Sequence, residues 1–308
     1  MARKAASTLY RRLLTVAVAM LTSGCLAITT FPASDTGSAI SGVDLSDVSL
    51  TIGSKEFTEQ LILGQIAGQA LAAAGAKVSD QTGLVGTTLV RESLKTGQID
   101  LYWEYTGTGW ITHLGHVNPI PDPRKQWKAV HDEDLKANGI WWFPPTDVNN
   151  SYGFALKEQD AKKMGVRKIS DISTVPQSQM SLCAASEFLG RVDGLPGVEK
   201  TYGFEFPDSK IHALDYGLIY TSVGGPCTFG EIFTTDGRIR TENLYVLEDD
   251  KNFFAKYNVS VTMRDETYRA HADEYDKLFA PIIKALDNDT MIEMNAQVDV
   301  GGRGEEVV

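Results

Sequence analysis

Nucleotide-binding motifs are missing from this sequence, and positive charge is scarce. The chain contains neither a phosphate-binding loop of the G-x-x-x-x-G-K-[ST] type nor a G-x-G-x-x-G fingerprint, so any ATP is used by a partner. Acidic residues outnumber basic ones by 40 to 29 and the formal net charge is −11, so nucleic acid is not an expected partner. After residue 25, no apolar run reaches membrane-spanning length. These absences leave an acidic globular body without a nucleotide site.

Residues 1–24 have the composition of an export signal. Basic residues without any acid precede an apolar run that is too short for a permanent membrane span. The small residues directly before Cys25 resemble a bacterial lipobox, although Thr22 stands where leucine is common. We expect a lipoprotein that is lipidated at Cys25 and held at the outer face of the cell membrane, with residues 25–47 as a flexible tether. The alternative is cleavage elsewhere by ordinary signal peptidase.

Cysteine is rare as well. Cys183 and Cys227 are the only thiols besides Cys25. Two cysteines are left when Cys25 is lipidated, and an even number of cysteines in an exported protein favours a disulfide. This disulfide would close a long loop. The alternative is two unpaired thiols, and no cationic neighbour in sequence marks either of them as a nucleophile.

Strand and helix patterns alternate along the mature chain, which predicts an α/β protein with largely parallel sheets. The alternation restarts after a pair of prolines and later returns to the first unit. We therefore expect one lobe from residues 48–148 and 253–308, and a second lobe from residues 149–252. The two terminal helical patterns are expected to cover the first lobe. Two crossovers between the lobes would leave a cleft that can close about a hinge.

Two strand-to-helix junctions carry polar side chains. The strand pattern at 48–52 leads directly into a long helical pattern, with Lys55 and Gln60 at the junction. The strand pattern at 99–103 leads into a glycine-rich turn that contains Thr108. Such junctions lie at the carboxyl edge of parallel sheets, where helix N-terminal N–H groups favour polar or anionic ligands.

Several segments, taken in order, resemble the substrate-binding proteins of osmoprotectant ABC importers, which bind glycine betaine, choline and relatives. They are GSKEFTEQLILGQ, Gly86-Thr87, GQIDLYWEYTGT, NNSYGFAL, FTTDGRI, LEDDKNFF and the segment 294–299. Together they extend from residue 48 to about residue 302. The resemblance implies a type II periplasmic-binding-protein fold with two α/β lobes and a ligand cleft between them. It also implies delivery of ligand to a membrane permease that is driven by ATP hydrolysis on a separate ATPase subunit.

A quaternary ammonium group donates no ordinary hydrogen bond, so its capture uses the negative faces of several aromatic rings. The resemblance assigns such a cage to Tyr105, Tyr152, Phe233 and Tyr257, with Trp127 on a following helix as a further ring. Relatives often have tyrosine where Phe233 stands. The alternative for each ring is packing in the core.

The polar end of the ligand requires other residues. Those that match polar pocket positions of the family are Lys55, Gln60, Thr108, Asn150 and Arg191. Lys55 and Arg191 would pair with a carboxylate, which favours betaine or carnitine over choline. The alternative for Arg191 is a surface ion pair with Glu187 or Asp193.

The predicted function is therefore ligand capture outside the cytoplasm, without catalysis and without a cofactor. One alternative keeps the scaffold and binds ergothioneine or another betaine. A remote alternative is a surface hydrolase, which would turn its ligand over. His113 and His116 could face one metal ion, but no third ligand lies near them in sequence, so no metal is expected.

Overall fold

The computed structural model describes residues 29–31 and 42–308 of the chain. The predicted leader, the lipidation site Cys25 and most of the predicted tether lie outside these residues. Within the described ranges, two mixed sheets and the helices packed around them form an α/β protein. We call the six-stranded sheet with its helices lobe 1 and the five-stranded sheet with its helices lobe 2.

The sheet of lobe 1 has the strand order β1-β3-β2-β4-β11-β5. Its strands are Thr29–Thr30 (β1), Ser49–Lys55 (β2), Lys77–Leu84 (β3), Leu101–Tyr105 (β4), Ile140–Trp142 (β5) and Val259–Arg264 (β11). β2 runs parallel to β3 and β4, but β11 lies antiparallel between β4 and β5. The expectation of largely parallel sheets is therefore wrong. The chain re-enters lobe 1 from lobe 2 at the edge of the sheet where β4 ends. Strand β11 begins there, with Val259 opposite Tyr105, and therefore runs antiparallel to β4.

The sheet of lobe 2 has the order β10-β6-β9-β7-β8 and is also mixed. Its strands are Tyr152–Lys157 (β6), Leu182–Ala184 (β7), Ile211–Ala213 (β8), Phe229–Phe233 (β9) and Leu244–Val246 (β10). β7 is parallel to β8 and β9, whereas β6 is antiparallel to β9 and β10. Tyr152 at the start of β6 pairs with Phe233 at the end of β9, so both residues lie at one edge of the sheet. The lobe limits expected at residues 149 and 252 stay a prediction.

The helices flank both sheets. Their bounds are Thr58–Ala73, Thr87–Thr96, Thr106–Thr108 continued by a π-turn at Gly109–His113, Pro123–Asn138, Glu158–Met164, Ser186–Gly190, Leu195–Tyr202, Tyr216–Ser222, Arg238–Thr241, Asp265–Ala270, Ala272–Ala285 and Asn288–Asp299, with 3₁₀ turns at Ile169–Thr174, Gln177–Gln179, Asp208–Lys210 and Glu305–Val307. Helix Pro123–Asn138 shows how local chemistry sets such limits. The Asp122 side chain accepts the Lys125 N–H, and Gly139 ends the helix in the left-handed region at φ 66°. Within the described ranges, no helix is long and apolar enough to span a bilayer.

The two terminal helices cover lobe 1, as predicted. The Phe279 ring of helix Ala272–Ala285 lies edge-on to Trp103, with 6.3 Å between ring centroids, and 5.2 Å from Phe143. In the last helix, Asn295 donates a hydrogen bond to Glu59 at 3.1 Å. The C-terminal segment therefore reaches the edge of lobe 1 at which the first strand-to-helix junction lies.

Cys183 and Cys227 form the predicted disulfide, with 5.6 Å between their Cα atoms. Cys183 lies in β7 and Cys227 shortly before β9, and both are buried in a small apolar cluster with Ile219 and Val223. The bond therefore ties two neighbouring parts of lobe 2 together.

Candidate functional site

Strand ends from both sheets meet between the lobes. β2 ends at Lys55 and β4 at Tyr105 on the lobe 1 side, whereas β6 begins at Tyr152 and β9 ends at Phe233 on the lobe 2 side. These strand ends surround one cavity of about 380 Å³, measured with its opening to solvent. It is lined by Lys55, Glu56, Phe57, Thr87, Tyr105, Thr108, Asn150, Tyr152, Glu187, Tyr216, Phe233 and Tyr257.

Six of the twelve residues that line the cavity are aromatic. They are Phe57, Tyr105, Tyr152, Tyr216, Phe233 and Tyr257, and we call them the ring cage. Phe233 is central, with ring-centroid distances of 5.0 Å to Phe57, 4.9 Å to Tyr216 and 5.4 Å to Tyr152. Tyr152 in turn lies 5.5 Å from Tyr257. Rings from both lobes thus present faces and edges to one small space.

Seven of the ten predicted ligand-binding residues line this cavity. They are Lys55, Tyr105, Thr108, Asn150, Tyr152, Phe233 and Tyr257. Gln60 lies beneath it, fully buried, and its side-chain oxygen accepts the Lys55 N–H at 3.3 Å. Gln60 therefore supports the junction rather than facing the cavity.

Trp127 lies away from the cavity. Its indole N–H donates to the carbonyl oxygen of Phe143 at 2.8 Å, and its ring neighbours His131, with 5.7 Å between centroids. Helix Pro123–Asn138 packs against edge strand β5. The Trp127 side chain therefore bonds the residue that directly follows this strand. The structure thus places Trp127 with the edge of lobe 1 and not with the ring cage.

Arg191 is bound to acidic neighbours. Its guanidinium donates to both carboxylate oxygens of Asp193, at 2.8 and 2.6 Å, and to Glu187 at 2.9 Å. It does not line the cavity, and its guanidinium carbon lies 5.6 Å from the Tyr152 ring centroid. The partners given as the alternative for Arg191 are therefore the ones it pairs with, but the pairs are largely buried and not at the surface.

Five residues that line the cavity were not among the ligand-binding residues predicted from the sequence. They are Glu56, Phe57, Thr87, Glu187 and Tyr216. Phe57 lies inside the GSKEFTEQ motif, and this position could have identified it as a residue of the ligand site. Tyr216 follows the short strand β8, and nothing in its local pattern indicates a cavity.

Lys55 and Glu104 form a buried ion pair below the cavity floor. Their Nζ–Oε1 distance is 2.7 Å, and Glu104 is fully buried. Glu104 also accepts from Tyr102 at 2.8 Å, bonds His113 at 2.9 Å and accepts the Tyr105 N–H at 2.7 Å. Burial alone would raise the Glu104 pKa, but the Lys55 charge and the His113 contact outweigh it and hold that pKa well below its usual range.

Glu59 bonds residues of both lobes and also Asn150, which lies where the chain first crosses from lobe 1 to lobe 2. Its carboxylate accepts four hydrogen bonds, from Tyr105 at 2.8 Å, Asn150 at 2.9 Å, Thr235 at 2.5 Å and Asn295 at 3.1 Å. Burial raises the Glu59 pKa above its ordinary value, although these donors oppose the shift. Tyr105 and Asn150 line the cavity, so Glu59 fixes part of its wall from behind.

A second contact joins the lobes at the cavity rim. Glu187 of lobe 2 accepts from the Thr87 hydroxyl at 2.5 Å and from the Thr87 backbone N–H at 3.2 Å. Burial raises the Glu187 pKa, but the charge of Lys55 and the Thr87 hydrogen bond bring it below its ordinary value. An ionised carboxylate therefore stands at the edge of the ring cage.

Glu231 is a buried carboxyl group in β9, behind the ring cage. One of its oxygens accepts the Ala185 N–H at 3.0 Å, and the described residues offer no partner to the other. Burial raises the pKa of Glu231 to about 8, against the opposing effect of the Ala185 hydrogen bond. The group is therefore mainly protonated at neutral pH in the folded protein.

Glu231→Gln is expected to flatten the pH dependence of stability. Because the folded-state pKa lies above the ordinary value of 4.5, the folded protein loses stability as pH rises from 4.5 through about 8. Relative to wild type, the variant should gain about 3 kcal/mol between pH 5 and pH 8. Urea unfolding of both proteins at several pH values measures this gain. A constant difference across the range would contradict it.

The two histidines considered for metal binding face different partners. His113 contacts Glu104, whereas His116 contacts Glu133 at 2.9 Å and stacks on Trp110. Within residues 29–31 and 42–308, no group of His, Cys, Asp and Glu side chains is arranged to hold a metal ion.

A cavity walled by rings from two α/β lobes, with contacts from both lobes around it, defines a two-lobed substrate-binding protein. Residues 48–308 match the family described as the substrate binding domain of the ABC-type glycine betaine transport system, and the chain belongs to this family.

Individual relatives agree with this assignment. Over 260 residues the chain is 39% identical to the glycine-betaine-binding protein of Pseudomonas aeruginosa, covering 82% of each chain. It is 29% identical over 261 residues to the ergothioneine transport permease/ergothioneine binding protein EgtU of Helicobacter pylori, covering 84% of this chain and 46% of that protein. The chain thus spans about half the length of that relative.

A solved structure described as a glycine betaine/carnitine/choline ABC transporter has a TM-score of 0.67 at 25% identity. The match covers 84% of this chain and 95% of that chain. The type II periplasmic-binding-protein fold is thereby confirmed. The protein is the extracytoplasmic substrate-binding component of an ABC importer, with a permease as partner, and not an enzyme.

Proposed function

We propose that this protein captures a quaternary ammonium osmoprotectant, such as glycine betaine, choline or carnitine, and delivers it to its permease. The observation that carries the proposal is the ring cage, in which six aromatic side chains from both lobes line one small cavity. Each ring face that contacts a desolvated cation contributes about 0.5–2 kcal/mol. Three or four such contacts would together contribute about 1.5–8 kcal/mol, a large share of the roughly 8 kcal/mol that a micromolar dissociation constant represents.

Electrostatics around the cage supports a cationic ligand. Glu187 and Glu56 line the cavity beside Lys55, whose ammonium group is already paired with Glu104. The earlier expectation that Arg191 binds the ligand carboxylate has no support, since Asp193 and Glu187 occupy its guanidinium. Lys55 remains the one proposed contact for a carboxylate, because it lines the cavity and carries further N–H donors.

Ergothioneine is a second candidate ligand. The 29% identity to an ergothioneine binding protein favours it, and so does the extra ring surface that Phe57 and Tyr216 add to the four predicted rings that line the cavity. A ligand that combines a trimethylammonium group with a flat ring would use both kinds of surface.

Contacts from both lobes supply a mechanism for closure. Ligand held by Tyr105 on one side and by Tyr152 and Phe233 on the other would favour the conformation in which both lobes contact it. We take residues 48–148 with 253–308, and residues 149–252, as the two bodies that move. We also propose removal of residues 1–24 and lipidation of Cys25, which would keep the protein at the outer face of the membrane near its permease.

Tyr152→Ala is expected to weaken binding of the preferred quaternary amine by about 30-fold, because it removes a ring that contacts two others in the cage, Phe233 and Tyr257. Calorimetric titration of the protein lacking residues 1–25 with glycine betaine, choline, carnitine and ergothioneine measures the effect. Tyr268→Ala is the matched control, since both tyrosines are 8% exposed but Tyr268 stacks on Trp141 outside the cavity.

The control variant should bind like wild type. Equal losses of ligand affinity in both variants would mean that Tyr152→Ala weakens binding by destabilising the protein and not by removing a contact with the ligand. No heat from any of the four ligands with folded wild-type protein would contradict the proposed function.

A further inference from the structure

A second, smaller cavity lies behind the ring cage, with a volume of about 250 Å³ measured with its opening to solvent. It shares Phe57, Asn150, Tyr216 and Phe233 with the first cavity, so the two spaces adjoin at these side chains. Its other lining residues are polar and charged. The residues are Thr58, Glu59, Thr235, Asp236, Arg238, Asn295 and Asp299. We call this space the rear compartment.

Two oxygen atoms of the rear compartment, Asn150 Oδ1 and Asn295 Oδ1, have no hydrogen-bond donor among the described residues. A third, Asp299 Oδ2, accepts no hydrogen bond there and has an ion-pair contact with Arg238 Nη2 at 3.3 Å. Both asparagines are more than nine-tenths buried, with exposures of 6% and 3%. Each places its amide nitrogen on the Glu59 carboxylate, which can only accept, so the free atom of each amide is its oxygen. A buried acceptor without a partner costs about 1–3 kcal/mol, so these atoms indicate a missing donor.

The charges of the rear compartment also favour a donor. Glu59, Asp236 and Asp299 face one cation, Arg238. Arg238 donates to both oxygens of Asp236 and lies 3.3 Å from Asp299. A ligand carboxylate placed here would meet an excess of negative charge, whereas an O–H or N–H group would meet free acceptors.

We infer that the rear compartment receives the far end of the ligand and selects quaternary amines whose far end carries O–H or N–H donors. The inference rests on the proposed function, in which the ring cage holds the ammonium end. Asn150 lines both cavities and has a free oxygen, so it stands at the boundary between the two ends of the ligand. Choline, with its hydroxyl, and ergothioneine, with its ring N–H groups, have such donors. Glycine betaine has none.

The proposal predicts a ranking of affinities. A site that is built to bond a ligand O–H or N–H group discriminates strongly against an analogue that lacks it, because buried acceptors are then left unpaired. The better of choline and ergothioneine should therefore bind wild-type protein about tenfold or more tightly than glycine betaine.

Asp299→Asn tests the assignment, because it keeps the shape of the side chain and replaces one carboxylate oxygen with an N–H₂ group. The oxygen Oδ2 accepts no hydrogen bond from the described residues and contacts Arg238 through an ion pair. The dissociation constant of the donor-bearing ligand should rise about tenfold, while that of glycine betaine changes less than about twofold. Thr58→Val is the matched control. Thr58 lines the same compartment and donates to Asp299 Oδ1 at 2.7 Å, so its loss leaves the Oδ2 acceptor in place and should shift all ligands alike.

Calorimetry on the three proteins, with thermal melts to show that each is folded, separates the outcomes. Binding of all ligands with equal shifts in Asp299→Asn would overturn the inference and leave the proposed function standing, with water filling the compartment. Glycine betaine binding as tightly as both donor-bearing ligands would overturn it as well. Failure of every quaternary amine to bind wild-type protein would overturn the proposed function and the inference together.

Discussion

Replacing Lys55 with methionine is expected to lower the free energy of unfolding by about 3–5 kcal/mol. The side chain has a similar length, so packing changes little, but Glu104 is left as a fully buried carboxylate without its cation. The remaining donors to Glu104 are the Tyr102 hydroxyl and the Tyr105 N–H, with His113 beside it, and none of these is a fixed positive charge. Urea unfolding at neutral pH, followed by circular dichroism, measures the loss.

The same variant should respond less to acid. In wild type the folded-state pKa of Glu104 lies below the ordinary value of 4.5, so the stabilisation is present above that value and is lost as pH falls through the folded-state pKa. Without Lys55 much of that stabilisation is already gone. The free energy of unfolding of the variant should therefore fall less steeply than that of wild type below about pH 5.

A double variant provides the control. Lys55→Met with Glu104→Gln removes both charges and should recover much of the stability, because the penalty comes from the unpaired carboxylate and not from loss of the pair itself. If the double variant is as unstable as the single one, the ion pair is not the cause. Packing around the first strand-to-helix junction would then explain the loss.

Sequence reasoning located the cage where strand ends could be read from local patterns. Lys55 and Tyr105 follow the strands predicted at residues 48–52 and 99–103, whereas Tyr152 and Phe233 were assigned by the family resemblance. In the structure the strand ends of the two sheets meet at one cavity. Period-2 and period-3.6 patterns give such limits without knowledge of the tertiary structure. Tyr216 could not be found in this way, because packing within lobe 2 brings it 4.9 Å from Phe233.

The direction of a strand and the partners of a side chain were harder to predict than the position of an element along the sequence. The antiparallel course of β11 depends on the edge at which the chain re-enters lobe 1, which no local pattern encodes. Arg191 was recognised as a potential carboxylate ligand, but acids two residues after it and four residues before it satisfy it instead. Trp127 lies on a correctly predicted helix, yet a helical pattern does not say which edge of a sheet the helix covers.

Removing the disulfide with Cys183→Ala/Cys227→Ala is expected to lower the free energy of unfolding by about 4 kcal/mol. The bond spans 44 residues of sequence, and without it the unfolded chain gains the conformational freedom of that loop. Urea unfolding of wild type and variant at pH 7 measures the loss. Because the uncrosslinked chain exposes more surface when unfolded, the dependence of the unfolding free energy on urea should also become steeper.

Reduction separates this effect from simple truncation of two buried side chains. Wild type unfolded in the presence of a thiol reductant should be destabilised to about the level of the variant, whereas the variant should not respond to reductant. Neither cysteine lines the cavity, so ligand affinity of the folded variant at 25 °C should match that of wild type. A loss below about 1 kcal/mol would mean that the folded protein is relieved of strain when the bond is removed, or that the unfolded chain keeps its ends together without it.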